Sequence, residues 1–227
     1  MTKAAETKAK TRRYHSPRRK EQAEATRSAI LDAAERLFIR DGYVATSMAA
    51  IAKEAGVAPK TIYIAFKTKS GLLRALWHRN LRGGREDVPV ADQAWFREVI
   101  EEPDPEKALR LNARNSRQVK TRIAPLGEVI WTAAAADPEI DALLNRIWSQ
   151  FYANQRDVVK ALHRRGALKP GLGVDRAADI LWTLNHPNVY LLLLESRGWT
   201  PESYERWLAD ITCAELLRDG GRSKPRR

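Results

Sequence analysis

In segment after segment of this chain, apolar residues return every third or fourth position, and no stretch alternates convincingly with period two. That spacing puts the apolar side chains on one stripe of an α-helix and is incompatible with a half-buried strand. The fold class it predicts is all-α. Ile30, Leu31, Ala34, Leu37 and Phe38 predict a first helix over 24–40, closed by Asp41-Gly42, glycine being the usual residue for a left-handed C-terminal position. Met48, Ile51, Ala52 and Ala55 predict a short second helix over 47–55, with Thr46 placed as its N-cap. Gly56 breaks it and Val57 plugs the corner. A third helix starts at Ala58-Pro59 and reaches Phe66, proline being tolerated in a first turn. Thr68 caps a fourth, which carries Leu72, Leu73, Leu76 and Trp77 and ends at Gly83-Gly84. Further helices are expected over 92–101, 105–123, 125–136, 138–165, 175–197 and 201–217, separated by turns rich in Pro, Gly and Asp.

Charge is distributed unevenly along this pattern. Residues 1–85 hold 19 Lys and Arg against 7 Asp and Glu, whereas residues 86–227 hold 21 of each, so the whole net charge of +12 lies in the first third. Solubility does not require that asymmetry; a module for a polyanion does, because each phosphate met by Lys or Arg releases a counterion. An anionic membrane surface is the rival partner, but no basic amphipathic helix with an aromatic face stands out. Residues 1–23 read as a basic arm with little to bury, disordered when free, serving either as a solubilising tail or as an extension that tracks DNA. The expected organisation is arm 1–23, a DNA-binding domain over 24–84, a helical domain over 85–218 and a basic tail over 219–227.

Other chemistries find little support. Cys213 is the sole cysteine, so no intramolecular disulfide or thiolate zinc cluster can form, and it reads as a small buried hydrophobe. His15, His78, His163 and His186 are scattered, and common catalytic and nucleotide-binding motifs are absent. The expectation is no enzyme, no metal and no cofactor. No secretory leader is apparent and the longest apolar run is far too short to span a bilayer, so a cytoplasmic protein without a membrane partner is expected.

Two short helices joined by a glycine-containing turn, after one amphipathic helix, make a helix-turn-helix. Free N–H groups and hydroxyls at Thr46 and Ser47 offer a phosphate site at a helix N-terminus, and Lys69 repeats the device with a charge added. The run Gly42-Tyr43-Val44-Ala45-Thr46-Ser47, then Ile51-Ala52-Lys53-Glu54-Ala55-Gly56-Val57, Thr61-Ile62-Tyr63 and Phe66-Lys67-Thr68-Lys69-Ser70-Gly71-Leu72-Leu73 closely resembles the signature of the TetR (tetracycline repressor) family of transcriptional regulators, over residues 24–84. The resemblance implies phosphate clamping by Thr46, Tyr63 and Lys69, and a recognition helix that projects Pro59, Lys60, Thr61 and Ile64 toward base edges, where Lys60 suits guanine O6 or N7. Tyr63 is alternatively partly core, and Ile64 alternatively faces a neighbouring helix. Ala58 stands where the family often has Ser, and Lys60 where it often has Gly. The segment from Arg197 to Leu208 also echoes the C-terminus of some of these regulators.

For the second domain the resemblance implies dimerisation and effector binding. A dimer is expected physically too, because one helix reads few base pairs and a palindromic operator presents two half-sites about 34–36 Å or a multiple apart. Leu184, Leu191, Leu194, Trp207, Leu208 and Ile211 on the last two helices are the expected interface, as an intersubunit four-helix bundle, with intrachain core as the other reading. Asn115, Trp131, Trp148, Phe151, Trp182, Asn185 and His186 are the expected lining of a pocket for a small, largely apolar or aromatic effector. Pro187 should kink its helix beside Asn185 and His186. A ligand-released repressor is the function expected; an activator of the same fold and a non-specific architectural DNA binder are the alternatives.

Overall fold

The computed structural model describes residues 17–83 and 89–218. Among these residues ten α-helices follow one another: α1 Pro17–Ala45, α2 Met48–Glu54, α3 Pro59–Phe66, α4 Lys69–Arg82, α5 Ala94–Glu101, α6 Pro105–Ala134, α7 Pro138–Arg164, α8 Val174–Leu184, α9 Pro187–Leu191 and α10 Pro201–Leu216. An antiparallel bridge joins Leu168 to Leu217 and pins the end of α10 to the α7–α8 turn. No helix among the described residues is long and apolar enough to cross a membrane.

α1 begins earlier than its apolar stripe. Residues 17–23 of the expected arm are helical, not disordered, and 18–23 are exposed; residues 1–16 and the basic tail from 219 lie outside the described residues. Within α1, Gly42 leaves helical geometry at φ 79°, ψ 166°, so the chain turns where Asp41-Gly42 was expected to end the helix. Two further expectations change. Residues 105–134 form one helix that carries Pro125 inside it, although Ala124-Pro125 reads as a break, because flanking contacts on α1, α4 and α7 hold both halves in line. The segment 175–197 instead breaks into α8, α9 and a wider π-type turn over Leu192–Ser196. The break falls at Asn185–Pro187, where His186 takes the N-cap position and its Nδ1 accepts from the Asn188 N–H at 3.1 Å.

The core does not stop at the expected domain boundary. Ile30, Phe38, Ile51, Ile62, Leu72 and Leu76 form one apolar cluster with Leu126, Ile130 and Ala133 of α6 and Ile140 and Leu143 of α7. A second cluster packs α5, α6, α7, α8 and the end of α10, with Cys213 buried in it as expected. Burial of whole Ile, Leu and Phe side chains is worth about 1.5–3 kcal/mol each, so the first cluster ties the helix-turn-helix firmly to α6.

Candidate nucleic-acid interface and ligand cavity

α3 is short and two-faced. Ile62 and Phe66 are buried as α3 packs on α2 and α4, while Tyr63 is 51% and Ile64 71% exposed on the opposite side, beside exposed Pro59 and Lys60 and half-buried Thr61. Neither Tyr63 nor Ile64 is buried within the chain. Pro59 opens the helix after Ala58, which supplies no side-chain cap. The Arg27 guanidinium lies 4.4 Å from the centroid of the Phe66 ring and steadies the far end of α3 from α1.

Two of the residues expected to contact phosphate are engaged within the chain. Ser47, not Thr46, caps α2: its Oγ accepts from the Ala50 N–H at 3.1 Å. Thr46 is only 3% exposed, and its hydroxyl donates inward to the carbonyls of Gly42 at 2.8 Å and Leu37 at 3.2 Å. The positive φ of Gly42 turns the chain so that Thr46 points into the bundle. Lys69 is likewise committed. Its Nζ donates to the carbonyls of Tyr43 at 2.9 Å and Thr46 at 3.1 Å and lies 4.2 Å from the Tyr43 ring centroid. Partial burial lowers its pKa, with Asp137 opposing the shift. Thr46 and Lys69 therefore build the α1–α2 corner that presents Ser47 and the start of α2.

That corner is bonded to the α6–α7 turn. The buried Tyr43 hydroxyl donates to Asp137 Oδ2 at 2.6 Å, and Ser70 donates to Glu139. Burial, followed by this bond, pushes the Tyr43 phenol well above its usual range, and the bond holds the Asp137 carboxyl below its own.

Between α4, α5, α6, α7 and α9 lies a cavity of about 320 Å³. Of the expected lining residues, Asn115, Trp131, Trp148 and Phe151 face it. Trp182, Asn185 and His186 do not. The break before Pro187 turns His186 against Trp148 and Trp182, at centroid distances of 4.6 and 4.9 Å, and buries Asn185 completely behind the wall. Trp131 and Trp148 stack at 5.9 Å. Trp77 and Leu81 of α4 complete the wall nearest the helix-turn-helix. At the other end stands Lys120, which the sequence reading passed over. It is 3% exposed; its Nζ donates to Asn185 and, at 2.8 Å, to the Tyr204 hydroxyl. Asn185 in turn donates to Ser116 Oγ at 2.9 Å and Gln155 Oε1 at 3.0 Å. A signal was present: Leu109, Ala113, Ser116, Lys120, Ile123 and Gly127 follow helical spacing, which places a lysine on the buried stripe of α6.

On the last helices, Leu184, Leu191, Leu194, Trp207 and Ile211 are partly exposed along α8–α10. Leu208 is 1% exposed inside its own chain, packed beside Tyr190 and Tyr204, because α10 lies along α6 and turns that face inward. It is removed from the expected interface.

Residues 30–76 match the model of bacterial regulatory proteins of the tetR family. The HTH-type transcriptional regulator AcrR of Shigella flexneri is 48% identical over 58 residues, which are 26% of this chain and 27% of AcrR's own length. The probable HTH-type transcriptional regulator ArpR of Pseudomonas putida is 29% identical over 167 residues, 71% of this chain and 77% of that protein. Among solved structures, SmeT in complex with triclosan superposes with a TM-score of 0.70 at 20% identity, covering 89% of this chain and 96% of that one; SmeT is the repressor of a multidrug efflux pump of Stenotrophomonas maltophilia.

Proposed function

We propose that this chain, whose residues 30–76 match the tetR family of bacterial regulatory proteins, is a repressor that binds a palindromic operator as a homodimer and is released by a small, largely apolar effector held in the cavity. The observation that carries this reading is the outer face of α3, where Tyr63 and Ile64 stand exposed beside Lys60 on a helix whose other side is buried. On this reading Lys60, Thr61, Pro59 and Ile64 meet base edges, while Tyr63 and the α2 N-terminus at Ser47 meet phosphates. Release follows from shared walls. Trp77 and Leu81 belong both to the cavity and to the helix that carries α3. A ligand that favours one placement of α4 shifts the separation of the two recognition helices, and so the population able to dock on both half-sites. Triclosan in SmeT shows that a neighbour of the same fold takes a small molecule.

Fluorescence anisotropy tests the reading on operator fragments selected by footprinting with purified protein. Specific DNA should bind on the order of 10³-fold or more tighter than random DNA, with affinity falling steeply as salt rises. A ratio near one would leave only an architectural binder. Lys60→Ala should change preference at one or two base positions. Lys69→Ala should weaken binding to specific and random DNA alike and lower the melting temperature as well, since its ammonium holds the α1–α2 corner together.

A further inference from the structure

We propose that the cavity is built for an acid: a small ligand with an apolar, aromatic body and a carboxylic acid group that pairs with Lys120. This deepens the effector reading given above and rests on it.

Lys120 is buried, lines the cavity, and has no ion-pair partner among the described residues. Its two hydrogen bonds, to Asn185 and Tyr204, are to neutral groups. The other titratable groups around it are also not acids that could balance it: the Tyr204 and Tyr190 phenols from α10 and α9, and the His186 imidazole, which the Lys120 charge itself helps to depress. No Asp or Glu is among the described residues that line the cavity, whereas Arg146 adds a second cation. Buried lysines are rare unless paired, and burial drives this one well below the usual lysine pKa. Asn185, Ser116 and Gln155 lock the network that holds the amine in place, so the nitrogen is positioned before any ligand arrives.

Two hydrogen bonds leave one valence of Nζ uncommitted, a third N–H on the ammonium or the lone pair on the amine. A carboxylic acid suits either state. If Lys120 is an ammonium, the ionised ligand supplies the missing counter-charge. If it is an amine, the acid O–H proton moves to Nζ and the ligand oxygen keeps the electron pair, which leaves the same ion pair. The desolvation of the lysine has already been met by folding, so binding adds only that of the carboxylate. At the other end, Trp131, Trp148 and Phe151 offer aromatic faces to the ligand body. A cationic ligand would meet a like charge with no acid to offset it.

The test uses the full-length protein and three probes with one apolar body: biphenyl-4-carboxylic acid, its primary carboxamide and 4-(aminomethyl)biphenyl, titrated by calorimetry and by tryptophan fluorescence. The acid should bind at least about ten-fold tighter than the amide, as expected when a charge-assisted bond replaces a neutral one, and the amine weakest. Lys120→Met, which keeps the apolar stem, and Lys120→Gln, which keeps a hydrogen-bonding end, should both remove the preference, bringing acid and amide affinities within about two-fold of each other. Equal affinity of acid and amide for the unaltered protein overturns the proposal and leaves the cavity as an effector site. An acid preference that survives in both variants does the same. Binding of none of the three probes overturns the effector reading together with it.

Discussion

Gly71 occupies a position where one methyl group is too many. A Cβ added there would lie 2.5 Å from the Phe66 carbonyl oxygen and 3.1 Å from Thr68 Oγ1, because the start of α4 folds back tightly on the end of α3. Gly71→Ala should therefore destabilise the protein by about 1–3 kcal/mol, the usual cost of overpacking, read as a lower urea midpoint; an unchanged midpoint would contradict the close approach. Tyr43 tests the link to the C-terminal helices. Its bond to Asp137 lowers the carboxyl's folded pKa below the unfolded value, so the stabilisation is present above the ordinary carboxylate range and is lost as pH falls through the lowered value. Tyr43→Phe should cost about 1 kcal/mol at pH 7, less than a fully buried charged bond because Asp137 is partly solvated. The gap between the two proteins should narrow as denaturation is repeated at pH values falling below the ordinary carboxylate range. A gap that stays constant with pH would place the effect in packing and not in the carboxylate.

Helices are decided by more than their own residues. Pro125 inside α6 removes the N–H that would bond the Thr121 carbonyl and crowds the preceding turn, a local cost of up to about 3 kcal/mol. Read locally, Ala124-Pro125 ends a helix. The chain continues because Ile123, Leu126 and Ile130 are buried on the same stripe on both sides of it. Pro125→Ala should raise the melting temperature, the restored bond outweighing the extra freedom of the unfolded chain; a fall would mean that the proline's ring contacts matter more than its missing donor. Pro187 has the opposite outcome. There the preceding Asn185 is drawn into the Lys120 network and His186 stacks on Trp148 and Trp182, so tertiary contacts favour the break that Pro187 also favours.

For the whole molecule, the partly exposed apolar residues along α8–α10 are the surface on which the proposed dimer depends. Ile211→Glu should place two like charges near that interface and shift the protein toward monomer in sedimentation velocity. Its affinity for a two-half-site operator should fall much further than its affinity for a single half-site. A variant that stays dimeric would move the interface elsewhere. The core argues against treating the two expected domains as independent: Leu126 and Ile130 of α6 complete the apolar cluster of the helix-turn-helix, so a fragment ending at residue 84 would expose that surface and should fold poorly.

The all-helical class, the helix-turn-helix and most helix ends were determined by the sequence alone, since helical spacing, capping residues and left-handed glycines act over one or two turns. The outward face of α3 was legible for the same reason: a short helix with one apolar stripe leaves the rest exposed. Tertiary structure decided the roles of Thr46 and Lys69, whose polar groups bond to carbonyls distant in sequence or across a turn, and of Leu208, which α6 covers. It also decided that Asn185 and His186 stand behind the cavity wall and that Lys120 lines it. Whether a polar side chain meets solvent, a phosphate or another buried group depends on which helices close over it, and no local pattern records that packing.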